Sequence, residues 1–519
     1  MQDKTQQIFR DAPVPKAVLT NVIPSIISML MVLVYNLADT FFIGQTKDPL
    51  MVAAVSIATP AFIIFMAVGM LFGIGGTSMI SRMLGEGKRD MAKHISAFCF
   101  WTGAAIGVIA MIIMTIFSVP VCRLIGASDA TIGYASQYLS IVAIGIPFLI
   151  VSNSFSNIIR SEGHATVAMT GMIIGNMINI VLDPVMIIGF KWYVAGAAVA
   201  TVLGNIFSTV FYIIHLTSKR SILSIKPKDY SAKKIITLGV LSIGIPASLN
   251  SILMSFSNIM INSFMAKHGD LQLAGLGVAM KVNMIAVMLL IGVGTGIQPL
   301  LGYCFGAGNS KRYRSVLKFS LCFAICLSII MTLICYLGAA PLAKAFLDDE
   351  EAFGYAFAFS RIYIMSGPVL GILFVFINAI QSMGAAIPSL ILSVSRQGII
   401  YFPILITTSI VNNTPVNLAM TQPITDYIAT ALSIVLFIVA YKKYFVAKDD
   451  MFAINIALVE EHTPVVGVVG IPAQNKIYFA IKDYGSYLLE NDALKRIYAS
   501  DRTDNLIMSC SVFHSGKTD

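Results

Sequence analysis

Charged residues are scarce in this chain. Asp, Glu, Lys and Arg make up only 12% of its 519 residues, whereas 57% are hydrophobic. The mean hydropathy of +0.82 lies far outside the range of water-soluble domains. This composition excludes a soluble enzyme as the main body of the chain and predicts a polytopic membrane protein.

The cysteines follow no recognisable pattern, and no leader peptide is expected. The seven cysteines are scattered, mostly in apolar segments, and none has the spacing of a metal site or a disulfide framework. We interpret them as small buried hydrophobic residues and predict no cofactor and no metal. The first sixteen residues contain no short apolar core followed by a small-residue cleavage site, so no removable signal peptide is expected.

Long apolar segments dominate the rest of the chain. A membrane-spanning helix needs roughly 20 apolar residues, and twelve segments meet that requirement. They lie at 18–43, 51–80, 93–118, 134–159, 166–189, 193–217, 237–264, 272–303, 316–338, 356–382, 386–410 and 421–445. The predicted fold class is therefore an all-α membrane protein with twelve transmembrane helices, followed by a short β-rich segment.

Lys and Arg are concentrated in alternate loops. Residues 82–93, 219–234 and 311–314, after the second, sixth and eighth spans, carry most of them. Because cytoplasmic loops are enriched in positive charge, these loops and both termini are predicted to be cytoplasmic. The net charge of +9 then reflects orientation and contact with lipid headgroups, and no nucleic-acid partner is expected.

The chain repeats itself with an offset of about 221 residues. FGIGGTSMISRMLGEG (72–87) aligns with VGTGIQPLLGYCFGAG (293–308), and IPFLIVSNSFSNIIRSEGHA (146–165) aligns with GPVLGILFVFINAIQSMGAA (367–386). A repeat of this length predicts two related bundles of six helices.

The repeat also predicts the domain organisation. We expect an N-terminal segment at 1–17, a first lobe at 18–217 and a linker at 218–236. A second lobe should follow at 237–445 and a tail at 446–519. Since six is even, the lobes share one orientation and should be related by an axis along the membrane normal. This arrangement is typical of transporters that work by alternating access.

Several motifs resemble those of one transporter family. They are ADTFFIGQ in the first span, GIGGTSMISRMLGEG after the second, NIVLDPVMI in the fifth, AGAAVATVLGN opening the sixth and QPITDYIA in the twelfth. Residues 15–445 resemble the multidrug and toxic compound extrusion (MATE) transporters, and look most like their DinF-type branch. The resemblance implies a monomer in the bacterial inner membrane that exports small, cationic organic compounds, driven by an inward gradient of H+ or Na+.

Two acidic residues lie deep in apolar spans of the first lobe. Asp39 and Asp183 sit five and six residues before the outer ends of their helices, roughly 8–9 Å deep. Asn176 and Asn179 share a helix face with Asp183, and Thr201 reaches a comparable depth. A carboxylate facing lipid costs a few kcal/mol or more, so such groups are expected to face a cavity or a partner.

The resemblance assigns cation binding to Asp39 and Asp183, with Asn179 and Thr201 beside them. Ordinary interhelical hydrogen bonding remains open for the polar neighbours. Asn157 and Asn176 are further candidates for a substrate cavity.

The second lobe lacks the two acids. By the repeat offset, Ile261 and Ile404 are the counterparts of Asp39 and Asp183. Ion coupling is therefore predicted in the first lobe only.

The second lobe carries three charged residues of its own inside its spans, namely Lys281, Arg396 and Asp426. Lys281 and Asp426 could form a structural ion pair or line a cavity, and both alternatives stay open. Arg396 is a candidate for the same cavity.

The tail changes in composition. Residues 451–490 read as short strands separated by turns, and about 70 residues resemble central strands of the inositol monophosphatase family. That family binds Mg2+ through an acidic motif just upstream, where this chain has 442–450 with only Asp449 and Asp450. We expect a noncatalytic appendage or fusion fragment and no enzyme.

Two other functions remain as alternatives. A lipid-linked saccharide flippase of the same superfamily shares the duplicated bundles, but the acids of the first and fifth spans argue against it. A membrane-tethered phosphatase would need the metal ligands that the tail lacks.

Overall fold

The computed structural model describes residues 7–45, 49–346 and 349–446, and the strands within 454–497. The chain divides into two compact units, residues 1–441 and 442–519. The first unit is helical and the second contains a β-sheet, and each is described by itself.

The helical unit follows the hydrophobic pattern. Its helices are α1 (Val14–Gly44), α2 (Pro49–Gly85), α3 (Arg89–Ile116), α4 (Ser118–Ile125), α5 (Ile132–Ser161), α6 (Ala165–Asp183), α7 (Tyr193–Thr217), α8 (Lys234–Ala266), α9 (Asp270–Gly306), α10 (Ser310–Phe346), α11 (Glu350–Ile364), α12 (Gly367–Ser382), α13 (Ala386–Val394), α14 (Tyr401–Val411) and α15 (Pro415–Tyr441). Single π-helical turns follow α6, α13 and α15, at Pro184–Gly189, Ser395–Ile399 and Lys442–Val446.

Eleven helical spans of the described residues are long and apolar enough to cross a membrane, and α11 with α12 makes a twelfth if the bent pair counts as one. The pair is bent by 48° where Gly367 and Pro368 begin α12. Proline lacks the N–H that would continue the helix, and glycine adds backbone freedom. The prediction of an all-α membrane fold is confirmed.

The outward faces of the helices carry large, exposed apolar side chains, as contact with lipid requires. Along α3, large apolar side chains such as Ile109 and Ile116 are 58% and 67% exposed. The inward face of α3 packs instead into a buried cluster with α2 and α5 that includes Phe72, Ile95 and Phe155. An apolar residue facing outward is what a helix at the edge of a membrane bundle requires.

Helix ends match between the two halves of the chain. α2 ends at Gly85 and α9 ends at Gly306, which are partners in the sequence repeat. Each end is followed by a left-handed glycine, Gly87 at φ +77° and Gly308 at φ +66°, a conformation that ends helices without strain only at glycine. This matched register supports the duplicated architecture, and superposition of the two lobes stays a prediction.

The lobes meet through close helix crossings at one end of the bundle. We call this the basic end, because the Lys- and Arg-rich segments 82–93, 219–234 and 311–314 lie there. A Cβ on Gly85 would lie 2.2 Å from the carbonyl oxygen of Tyr303, and one on Gly306 would lie 2.1 Å from that of Arg82. Only hydrogen fits at either position.

A second crossing of the same kind joins α2 to α8. A Cβ on Gly75 would lie 2.2 Å from the carbonyl oxygen of Val240, and one on Gly244 would lie 2.2 Å from that of Leu71. Both crossings lie in the half of each helix nearer the basic end. The two lobes are therefore closed against each other there.

A short N-terminal strap, residues 7–12, covers the crossing of α2 and α9. The guanidinium of Arg312 on α10 donates to the main-chain oxygens of Phe9 at 2.7 Å, Ala12 at 2.7 Å and Ile8 at 3.3 Å. Phe9 is 1% exposed and its ring lies 5.6 Å from that of Tyr303. The strap adds a contact between the lobes.

The crossing yields a stability prediction. Gly306→Ala places a methyl group against the α2 main chain, so the helices have to separate, at a cost of about 1–3 kcal/mol. We expect a lower Tm for the purified protein. Gly277→Ala is the matched control on the same helix, because a Cβ there meets nothing within 4 Å. Equal Tm values for both variants would contradict the close crossing.

The described residues of the second unit form five antiparallel strands. They are β1 (Ile454–Glu460), β2 (Thr463–Ile471), β3 (Lys476–Ile481), β4 (Gly485–Glu490) and β5 (Ala493–Ile497). Their order in the sheet is β1-β2-β3-β4-β5, so every strand pairs with its neighbour in the chain. A register shift interrupts the first pair between Leu458 and Val459. The predicted β-rich tail is confirmed.

Candidate functional site

Asp183 lies where α6 changes its hydrogen-bond pattern. It is the last α-helical residue, and Pro184 begins the π-helical turn. Because proline cannot donate to the preceding turn, the regular ladder breaks at this point. The Asp183 side chain is completely buried, so the break delivers a carboxylate into the interior of the first lobe.

Asn179 connects this carboxylate to α7. In the amide orientation that satisfies both of its polar atoms, Nδ2 donates to Asp183 Oδ2 at 3.0 Å. Its Oδ1 then accepts from the main-chain N–H of Thr201 at 3.0 Å and from the Thr201 hydroxyl at 3.2 Å. The other oxygen of Asp183, Oδ1, is buried without a hydrogen-bond partner among the described residues.

Asp39 faces Asp183 from α1. It is half-buried, and its Oδ1 is a second buried carboxylate oxygen without a partner among the described residues. The two carboxylates lie close enough to interact electrostatically. Two buried like charges disfavour simultaneous ionisation unless a proton or cation is shared between them.

Two cavities adjoin the acids. One of about 140 Å³ lies among α1, α5, α6 and α7, and includes Asn176, Asn179 and Thr201 in its lining. The other, of about 260 Å³, includes Asp39 in its lining. Asn176 Nδ2 is buried without a partner in the described part of the chain. The predicted set of Asp39, Asp183, Asn179 and Thr201 is therefore brought together, and all but Asp183 line a cavity.

Asn157 contacts Arg160 and is not among the residues that line the smaller cavity. On α5 the smaller cavity is lined by Asn153 and Ser156, whereas the Asn157 side-chain oxygen accepts from Arg160 Nη1 at 2.9 Å. Arg160 is 1% exposed and its Nη2 lies 3.6 Å from the sulfur of Met172. We therefore interpret Asn157 as a partner that holds a buried guanidinium.

The second lobe buries an ion pair. Arg396 lies in the π-helical turn after α13 and Asp426 lies on α15, at 6% and 1% exposed. Arg396 Nε and Nη2 each lie 3.1 Å from Asp426 Oδ1. Gln422 Nε2 also donates to that oxygen at 3.1 Å, while Lys281 is exposed. The ion pair of Asp426 is thus formed with Arg396.

Apolar packing replaces the acids in the second lobe. Ile261, the counterpart of Asp39, is 1% exposed and belongs to a core cluster with Tyr363, Tyr401 and Leu405. Ile404, the counterpart of Asp183, is half-buried. The chemistry of the first lobe is not duplicated.

Sequence reasoning missed two tyrosines. Tyr35 and Tyr138 lie within electrostatic range of both carboxylates, and Tyr35 lines both cavities. The spacing of Tyr35 and Asp39, four residues apart on one helix face, was a usable signal. Tyr138 comes from α5 and had no comparable signal, because only tertiary packing brings it to the acids.

The ion pair yields a second stability prediction. Arg396→Gln leaves the Asp426 carboxylate buried without its cation, which typically costs about 3–5 kcal/mol. We expect a clearly lower Tm for purified Arg396→Gln. Adding Asp426→Asn should restore most of the loss, because the uncompensated charge is then removed. A single variant as stable as wild type would show that the pair is not needed.

Comparison with known proteins identifies the family. A family model described as MatE matches residues 24–185 and again 246–407, and one described as the inositol monophosphatase family matches 443–518. Multidrug export protein MepA of Staphylococcus aureus (strain NCTC 8325 / PS 47) is 30% identical over 410 residues, 78% of this chain and 89% of MepA. MepA of Staphylococcus saprophyticus is 30% identical over 411 residues, with the same coverage.

Solved structures share the fold. A crystal structure of MATE in complex with MaL6 gives a TM-score of 0.80 at 24% identity, covering 85% of this chain and 99% of that one. A MOP superfamily transporter from Pyrococcus furiosus gives 0.78 at 24% identity, covering 85% and 98%. The fold is that of a polytopic transporter. The chain belongs to the MATE family of multidrug efflux transporters; its place in the DinF-type branch stays a prediction.

Proposed function

We propose that this protein exports small, cationic organic compounds by H+ or Na+ antiport, as a monomer. The observation that carries this proposal is the pair of carboxylates in the first lobe, each with a buried oxygen that has no hydrogen-bond partner among the described residues. Relatives named as multidrug export proteins support the substrate class.

The carboxylates would couple the gradient to transport. A proton or Na+ neutralises the pair and lets the surrounding helices pack closely, whereas the ionised pair favours a wet, open lobe. A ligand shifts a conformational equilibrium only through such a difference in affinity. Alternating access then follows if the crossings at Gly85 and Gly306 separate while the opposite side closes.

The orientation completes this proposal. We place the basic end and both termini in the cytoplasm of a bacterium, with the bundle in its inner membrane, because the loops of this end carry the positive charge. The closed crossings at the basic end then make the structure an outward-facing state. The acids would load from outside in this state.

The acids provide the central test. Asp39→Asn and Asp183→Asn each remove one charge without changing side-chain volume. We expect each to lower gradient-driven export from proteoliposomes by roughly tenfold or more, the scale of a typical coupling free energy, with drug binding largely kept. ΔpH and ΔNa+ imposed separately on the wild-type protein identify the coupling ion.

Matched controls lie in the second lobe. Ile261→Val and Ile404→Val change the repeat counterparts of the acids and should leave export near wild type. Export at the wild-type rate by Asp39→Asn under an imposed gradient would refute its coupling role. In that case the interhelical hydrogen-bonding interpretation would stand.

We propose no enzymatic role for the tail. Its match to the inositol monophosphatase family starts at residue 443, and the sequence there offers only Asp449 and Asp450 at the acidic motif. A saccharide flippase is disfavoured by the two acids of the first lobe.

Deletion tests the tail. Removing residues 449–519 should leave export unchanged, because the acids and both cavities belong to the helical unit. The purified full-length protein should release no phosphate from inositol phosphates or nucleotide bisphosphates with Mg2+. Export lost in a well-expressed deletion, or Mg2+-dependent phosphate release, would give the tail a function.

A further inference from the structure

Three metal-ligating side chains converge at the basic end of the first lobe, away from the acids. Glu162 follows α5, His164 precedes α6 and His215 lies in the last turn of α7. One ligand atom from each lies within 4.8 Å of the other two. The α5–α6 junction and the end of α7 therefore bring donors of types that bind zinc to one point.

The contact between two of these donors has the spacing of a metal site. His215 Nε2 lies 3.3 Å from Glu162 Oε1, which is long for an N–H···O hydrogen bond. Two ligands of a tetrahedral zinc, with bonds of about 2.0–2.1 Å, lie roughly 3.3–3.4 Å apart. The ring of His164 stands nearly perpendicular to that of His215, with centroids 5.1 Å apart, and its ligand atom lies within 4.8 Å of the ligand atoms of the other two side chains.

Hydrogen bonds from the loop after α7 hold the Glu162 carboxylate in place. Glu162 is 1% exposed and accepts from the Ser221 hydroxyl at 2.9 and 3.0 Å and from the main-chain N–H of Ile222 at 2.9 Å. Such outer contacts fix a ligand and tune its affinity. They also attach the loop after α7 to the site.

The cluster is not part of the duplicated scaffold. By the repeat offset, Met383 and Ala385 stand where the first lobe has Glu162 and His164. The same helix junction is thus built in the second lobe without these donors. A purely structural junction does not need them.

We propose that Glu162, His164 and His215 bind one Zn2+ at the basic end of the first lobe. Three protein ligands leave the fourth tetrahedral position for water. The ion joins the ends of α5, α6 and α7 to the loop at Ser221 and Ile222. The proposal is independent of the coupling ion and of the drug site.

Metal binding to the purified full-length protein, with any affinity tag removed, tests the proposal. Zn2+ should bind with a stoichiometry of one per chain in competition with a chromogenic chelator, and Co2+ should give the visible absorption of a tetrahedral site. His164→Gln and His215→Gln should each weaken Zn2+ binding at least about tenfold, on the scale of altered metal shells. These variants keep Glu162 and its loop contacts.

His94→Gln is the matched control. Its ring contacts the main-chain oxygen of Asp229 at 2.7 Å, so it perturbs the same loop region without touching the cluster, and it should bind Zn2+ like wild type. Size-exclusion profiles and Tm values confirm folding of each variant. Undiminished Zn2+ binding in folded His215→Gln, or no site in the wild type, would overturn the proposal and leave a hydrogen-bonded junction.

Discussion

Inside a bilayer every main-chain N–H and C=O has to find its partner within the protein, because lipid offers none. This constraint explains the long helices and also the places where they break. The π-helical turns after α6 and α13 begin beside or contain a buried charged residue, Asp183 in one lobe and Arg396 in the other. Irregular main chain is tolerated at these points because neighbouring helices enclose it, and it delivers a charged side chain to the interior.

The two lobes differ in how their buried charges are compensated. In the second lobe Asp426 is neutralised by Arg396 and the position of Asp39 is filled by Ile261 in an apolar core. In the first lobe two buried carboxylate oxygens, one of Asp39 and one of Asp183, have no hydrogen-bond partner in the described part of the chain. The Asp426–Arg396 pair of the second lobe is complete as it stands, whereas under the proposed function the carboxylates of the first lobe take up a proton or a cation. One duplicated scaffold can therefore supply a rigid lobe and a responsive one.

The close helix crossings between the lobes are contacts that alternating access, as proposed, would have to break. Where Gly85 and Gly306 lie against main-chain atoms, the helices pack without intervening side chains. Such contacts are either made or broken, since a packed interface does not deform continuously. The N-terminal strap held by Arg312 lies over the same crossing, so separation of the lobes also has to displace or carry the strap.

The sequence by itself determined the membrane fold, the spans and the repeat, because hydrophobic length, helical periodicity and repeat offset are local properties of the chain. It also placed Asp39, Asp183, Asn179 and Thr201 in one site. Tertiary structure alone decided that Tyr138 joins them and that Asp426 pairs with Arg396. Those outcomes depend on which helices become neighbours and how each is rotated. A one-dimensional pattern gives the depth of a side chain, but its partner comes from another helix.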